Sequence, residues 1–190
     1  MPAMDALMVD TVVADPPALV LSPDLAARGL SLRAKQAGDT DFVRDLYISH
    51  RWEEMQAAPW SDEERLAFLR DQARLQAAHY DVNYHDADFL ILEMAGRPIG
   101  RLYLFRRNLK DLRIVEIGLM PDWRGRGLGG ALLRWVQDVA RGEGYALCSI
   151  HVEQNNPARR LYHRLGFRDV EPVGPYMLMH WTVPGTVPVA

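Results

Sequence analysis

Cysteine is almost missing from this chain. Cys148 stands alone, so no internal disulfide can form, and a single thiol fits a reducing compartment such as the cytoplasm. Long apolar runs are missing too. None approaches the ~18 residues of a membrane-spanning helix, so no membrane partner is expected. No basic residue precedes the apolar stretch within Met1–Val20, which argues against a secretory leader. Charge of one sign is lacking as well. The net charge is −3, so nothing global points to nucleic acid or an anionic surface. No internal repeat is visible. What remains is ordinary: 190 residues, 48% hydrophobic and 25% charged, enough for one soluble domain with its own core.

Residues 1–29 read as an N-terminal extension, either mobile or a docked arm. They are broken by Asp15-Pro16-Pro17 and Ser22-Pro23-Asp24. Residues 30–182 read as the folded domain. Residues 183–190, with Pro184, Gly185 and Pro188, read as an irregular tail. The domain opens on a short alternating strand at Leu30–Arg33. Asp39 and Thr40 can cap a helix that carries Phe42, Val43, Leu46 and Tyr47 on one face. Ser61 and Glu64 have capping-box spacing and open a second helix through Leu66, Leu69 and Ala73. Strands follow at Asp88–Met94, Ile99–Arg106 and Leu112–Met120, the last two joined by a turn at residues 108–111. A third helix carries Leu128, Leu132, Trp135, Val136 and Val139 and ends at Gly142 and Gly144. A strand at Tyr145–Val152 comes next. A helix then opens at Asn156-Pro157 and stops at Gly166, and a strand at Tyr176–Trp181 closes the domain. This order predicts an α/β fold with one mainly antiparallel central sheet flanked by helices.

The chemistry concentrates between the fourth strand and the third helix. There Arg124-Gly125-Arg126-Gly127-Leu128-Gly129-Gly130 meets a helix start. Unpaired N–H groups at a helix N-terminus bind anions, and glycines let a phosphate approach the backbone. Arg124 and Arg126 can pair with phosphate oxygens. The stretch lacks the Gly-Lys-Ser/Thr of a Walker loop. Gly125, Gly127 and Gly130 do fit G-x-G-x-x-G. Residues 1–123 precede them, however, and too little chain follows for a parallel dinucleotide-binding sheet. Another phosphate ligand is expected. A Gly-rich turn with two solvated arginines is the bland alternative.

Arg124-x-x-Gly127-x-Gly129 resembles the acyl-CoA pyrophosphate signature of the GNAT superfamily of N-acetyltransferases. Downstream, Asn155-Asn156-Pro157-Ala158-Arg159-Arg160-Leu161-Tyr162-His163-Arg164-Leu165-Gly166-Phe167 is similar to that superfamily's N-x-x-A-x-x-L-Y-x-x-x-G-F segment. The resemblance spans roughly Leu30 to Thr182 and implies the GNAT fold, with acetyl-CoA as cosubstrate. It implies that the backbone from Gly125 to Gly130, with Arg124, holds the CoA pyrophosphate. It implies that the fourth strand bulges and splays from the fifth, so that Leu119 and Met120 face the pantetheine arm and the thioester. Asn155 or Asn156 would contact the pantetheine, and Tyr162 would sit beside the sulfur. Read without the resemblance, each asparagine is equally a helix cap and Tyr162 equally a core tyrosine bonded to backbone.

The implied reaction moves an acetyl group directly from the thioester to a primary amine within a ternary complex, with no metal. A backbone N–H can steady the charge on the carbonyl oxygen, and Tyr162 can protonate the departing thiolate. Glu116 and His151 are the candidate bases, each otherwise a plain polar strand residue. Cys148, near Leu147 and Ile150, reads as a buried small apolar residue. His79 and His85, with Asp81 and Asp86, fit no metal-ligand spacing. Arg159, Arg160, His163 and Arg164 read as a solvated helix face that reaches the CoA 3′-phosphate, not as a nucleic-acid surface. The segment from His50 to Ser61, with Trp52, Glu53 and Trp60, is the expected acceptor side. The acceptor is an amine on a small molecule or a protein, and the resemblance allows a homodimer. A non-catalytic acyl-CoA-binding regulatory module is the competing function.

Overall fold

Seven strands form one sheet in a computed structural model that describes residues 16–108 and 110–186. The expectations for residues 1–15, for Leu109 in the turn and for residues 187–190 lie outside the described residues. The strands are β1 (Leu30–Ala34), β2 (Asp88–Met94), β3 (Arg97–Asn108), β4 (Asp111–Leu119), β5 (Leu147–Glu153), β6 (Arg168–Val173) and β7 (Tyr176–Thr182). Their order across the sheet is β1-β2-β3-β4-β5-β7-β6. Every neighbouring pair is antiparallel except β4 and β5, which run parallel. The expected mainly antiparallel α/β sheet is therefore the one formed.

Alternation along the strands sends side chains to two faces. One face is covered by α2 (Thr40–Arg51) and α3 (Asp62–Asn83). The capping box opens α3 as expected: Ser61 Oγ accepts from the Glu64 N–H, and the Glu64 carboxylate accepts from the Ser61 N–H. Leu46, Leu69 and Ala73 are buried on these helices, and Tyr80 of α3 meets the Tyr103 ring of β3 edge-on at 5.9 Å. In front of α2, the Arg33 guanidinium binds both oxygens of Asp39 and holds that carboxyl down at about 2.

The other face carries α1 (Pro23–Ala27), α4 (Leu128–Gly142) and α5 (Arg159–Arg164). Leu132 and Val136 of α4 join Leu104, Leu112, Ile114, Cys148, Ile150 and Phe167 in one buried cluster. Each such side chain contributes roughly 1.5–3 kcal/mol of burial. Cys148 is buried, and burial pushes its thiol pKa up. Within residues 16–29, Leu19 and Leu21 pack against this core. Leu25 is part of this core, and the Trp135 indole N–H donates to the Val20 carbonyl at 2.9 Å. Arg106, almost fully buried, donates to the Pro17 carbonyl and pairs with Asp88 and Glu143.

Several local expectations change. Helix α1 and strand β6 were not foreseen. β5 starts at Leu147, not Tyr145, because the Ala146 and Leu147 N–H groups both turn toward the Lys110 carbonyl. α5 starts at Arg159, not at Pro157. Asn156 first makes a turn, its Oδ1 accepting from the Ala158 N–H at 2.9 Å. Among the described residues no helix is long and apolar enough to cross a membrane. None of their His, Cys, Asp and Glu side chains forms a group of three able to hold a metal.

Candidate active site

The parallel pair β4/β5 is registered only from Asp111↔Leu147 to Ile114↔Ile150. Beyond it, β4 continues to Leu119 beside β3 and β5 to Glu153 beside β7 without pairing to each other, so the sheet opens into a splay. Val115 is a bulge, because Leu104 faces Ile114 while the adjacent Tyr103 already faces Glu116. The bulge and splay implied by the resemblance are both present.

At the open end of β4 the chain passes through a 3-10 turn, Pro121–Trp123, into the glycine loop. Gly125 and Gly127 have φ of +71° and +77°, and no atom lies within 4 Å of where a Cβ would stand on either. Gly127 caps α4 with no side-chain bond, so the first N–H groups of this 15-residue helix have no side-chain cap. Gly129 and Gly130 lie against Leu161 of α5. The Arg126 guanidinium rests over the Trp123 ring at 5.0 Å. Arg124 folds back, its Nε donating to the Leu119 carbonyl at 2.9 Å and its Nη2 reaching Ser49 Oγ at 3.3 Å. The Leu119 carbonyl takes a second bond from His50 Nε2 at 3.0 Å, so both its lone pairs are filled. A cavity of about 390 Å³ beside α5 is lined by Asn155, Asn156, Arg159, Arg160 and His163, among others.

Tyr162 sits in the core of the α4/α5 face, 6% exposed, with its ring 5.9 Å from Phe167. Its hydroxyl bonds to no protein atom among the described residues, yet it is not one of the sealed partnerless atoms. The backbone partner of an ordinary core tyrosine is therefore lacking. Burial, with the Glu116 charge adding to it, pushes the hydroxyl pKa up, so it carries its proton at neutral pH.

Glu116 projects to the opposite face, under α3. Three donors converge on one of its oxygens, Oε2: the Tyr80 hydroxyl at 2.9 Å, Arg101 Nη2 at 3.1 Å and Gln76 Nε2 at 3.4 Å. No hydrogen bond among the described residues reaches Oε1, and the side chain keeps 18% exposure. One oxygen is thus anchored and the other presented. Glu116 acts electrostatically on Tyr162 from one side of the splay and on Tyr80, His50 and Tyr176 from the other.

His151 is on the same face as Glu116 but in different company. Arg113 donates to its Nδ1, which places the ring proton on Nε2, and Nε2 is buried with no partner. Burial first, then the charges of Arg113 and His180, bring its pKa down to about 4. Nδ1 is engaged and Nε2 is sealed away, and the charged groups that act on His151 do not include Glu116. Glu116 and Tyr162 flank one opening; His151 belongs to a second cluster beside Arg113 and His180.

Across the mouth of the splay, Arg51 at the end of α2 pairs with Glu153 at the end of β5 and, at 3.1 Å, with Glu54. Trp52 and Glu53 line a cavity of about 390 Å³ together with Asp45, Ile48, Ser49, Leu66 and Pro121. Trp60 is absent from that lining; it packs edge-on against Phe68 at 5.3 Å and is 40% exposed. His50 opens the expected acceptor-side segment, but the sequence assigns it no role of its own. Its ring lies on Gly118, where an added Cβ would stand 2.4 Å from Cε1.

The comparisons with known proteins agree with this geometry. The chain is 33% identical over 113 residues to a mycothiol acetyltransferase from Thermobifida fusca, covering 57% of this chain and 30% of that protein. It is 32% identical over 143 residues to the mycothiol acetyltransferase of Actinosynnema mirum, covering 73% and 44%. The chain thus spans less than half the length of these curated relatives. Among solved structures, the PaiA N-acetyltransferase of Thermoplasma acidophilum in complex with coenzyme A superposes with a TM-score of 0.61 at 18% identity. That match covers 80% of this chain and 98% of the other. The spermidine N-acetyltransferase of Vibrio cholerae, in complex with CoA and spermine, gives 0.53 at 20% identity, covering 80% and 93%. The family model described as "Acetyltransferase (GNAT) family" matches residues 45–167, which contain the splay, the glycine loop and Tyr162, and the chain belongs to that family.

Proposed function

We propose that this chain is an acetyl-CoA-dependent N-acetyltransferase that acetylates a primary amine by direct attack in a ternary complex. The observation that carries the reading is the splay itself. It opens between a presented carboxylate oxygen on Glu116 and an unpartnered hydroxyl on Tyr162, with an uncapped helix start and open-sided glycines at its end. Acetyl-CoA supplies the acetyl group as an activated thioester.

The residues divide the work. Backbone N–H groups from Gly125 to Gly130 and the freed guanidinium of Arg124 bind the pyrophosphate. When Arg124 turns to that anion, the Leu119 carbonyl recovers a lone pair for a pantetheine N–H. Met120 lines the same passage. Asn155 and Asn156 border it farther along, where Asn156 keeps its Nδ2 as a donor while its Oδ1 caps the turn. Arg126 and Leu128 complete the loop, Arg126 leaving Trp123 for a phosphate. On the far side Glu116 draws a cationic amine and takes the proton released as the C–N bond forms. Tyr162 gives its proton to the departing sulfur. The acceptor enters beside α2, where Trp52 and Glu53 border the cavity and Arg51 spans to Glu153.

The acceptor class is an amine. Supporting it are the name of a relative, a mycothiol acetyltransferase, and that of a structural neighbour, a spermidine N-acetyltransferase in complex with CoA and spermine. The test is release of CoA from acetyl-CoA by the full chain with spermidine, an amino sugar, free amino acids and a peptide N-terminus. Amine-dependent release supports catalysis. Tight acetyl-CoA binding without release by any amine would favour the regulatory module.

A further inference from the structure

We propose that His50 is a second proton acceptor of the acetyl-transfer site, taking through Nδ1 the proton that turns the acceptor's ammonium into a nucleophilic amine. This rests on the acetyltransferase reading above.

The geometry determines the tautomer. A carbonyl oxygen only accepts, so the 3.0 Å contact to Leu119 means that Nε2 carries the hydrogen. Nδ1 then holds a lone pair. No hydrogen bond among the described residues uses it, and it is not a sealed atom. The ring is seated by Gly118. Its Cε1 would meet a Cβ there at 2.4 Å, with Nδ1 and Nε2 at 3.3 Å on either side. Gly118 and Glu116 are two residues apart on one face of the strand, and the Glu116 charge, from the carboxylate that flanks the splay, acts on the ring. His151, by contrast, has its Nδ1 engaged by Arg113.

The charged groups around the ring suit the task. Glu116 from β4 favours the imidazolium, while Arg124 from the glycine loop and Arg101 from β3 oppose it. Burial is the largest influence and lowers the pKa below its ordinary 6.5, so the ring waits neutral at physiological pH. The protons balance. The acceptor nitrogen loses two protons in becoming an amide nitrogen, the first to His50 Nδ1 and the second to Glu116. The sulfur gains one from Tyr162, which is restored by one of these two. The other leaves to water, one proton per turnover.

Two measurements decide the proposal. In the full chain labelled with ¹⁵N-histidine, the His50 shifts should show Nδ1 unprotonated and Nε2 protonated at neutral pH; the reverse tautomer overturns the assignment. His50→Ala should bind acetyl-CoA much as the parent does, yet turn over the best amine of the panel roughly 10²–10⁴-fold more slowly, the usual range for acid–base groups. Imidazole added to fill the space over Gly118 should restore part of that rate. His50→Gln keeps a donor for Leu119 but cannot take the proton, so it should be slow too, and the acid limb below pH 6.5 should vanish in both variants. A His50→Gln enzyme at the parent rate would make the residue merely structural and overturn the proposal. If the parent turns over no amine in the panel, the acetyltransferase reading fails instead, and the tautomer still decides whether His50 holds the free lone pair.

Discussion

Gly118 tests the local architecture without touching a charged group. An alanine there would place its Cβ 2.4 Å from His50 Cε1, more than 1 Å inside ordinary contact. The neighbour is a ring atom, so the whole imidazole has to turn away. Forcing an extra methyl into a packed site costs about 1–3 kcal/mol. Turning the ring also breaks its bond to the Leu119 carbonyl, worth about 1 kcal/mol. Gly118→Ala should therefore lower unfolding free energy by roughly 2–4 kcal/mol, read from urea denaturation with an unchanged m-value. The double variant Gly118→Ala/His50→Ala removes the obstacle and should recover most of the clash cost, a coupling of at least about 1 kcal/mol between neighbours. A single variant within about 0.5 kcal/mol of the parent, the range of ordinary surface substitutions, would refute the reasoning.

Tyr162→Phe should cut amine-dependent turnover by roughly 10²–10⁴-fold while acetyl-CoA affinity, read by calorimetry, barely moves. Gly127→Val forces a branched residue to φ of +77° and fills the open side of the loop, so acetyl-CoA binding should be lost in a protein that still folds by circular dichroism. Arg51→Ala frees two carboxylates at the acceptor mouth and should change the acceptor KM with acetyl-CoA KM unaltered, as steady-state kinetics will show. The folded His151 pKa, about 4, lies below its unfolded value, so the unfolded chain binds more protons between pH 6.5 and 4. Stability carried by this residue is complete above pH 6.5 and falls as pH drops toward 4, and His151→Gln should flatten that part of a stability-versus-pH curve.

Where local chemistry decides structure, the sequence was readable. The capping box Ser61–Glu64, the turn glycines and the apolar stripe of α4 all act within one or two turns of helix, and the structure uses each as expected. Strand β6 escaped because it is an edge strand. Arg168, Asp169, Val170 and Glu171 are all exposed and Pro172 follows them, so no buried alternation marks it. Helix α1 escaped because it is five residues long and is held by one buried side chain, Leu25. The site divides in the same way. The glycine loop and the Tyr162 helix are written as spacings. The separation of Glu116 from His151 is not, since it follows from the Val115 bulge, the splay beyond Ile114 and the contact with Arg113, which are tertiary. His50 falls in the expected acceptor segment but has no role written in the sequence, for a related reason. What singles it out is a glycine without a Cβ on a strand far along the chain.

The most direct test of the central claim is CoA thiol release from acetyl-CoA by the full chain, measured against the amine panel with mass spectrometry of the acetylated product. The parent should release CoA only when an amine is present, and the Tyr162→Phe variant should bind acetyl-CoA yet release it far more slowly. Tight acetyl-CoA binding with no amine-dependent release, or an unchanged rate without the Tyr162 hydroxyl where chemistry limits turnover, would contradict the account.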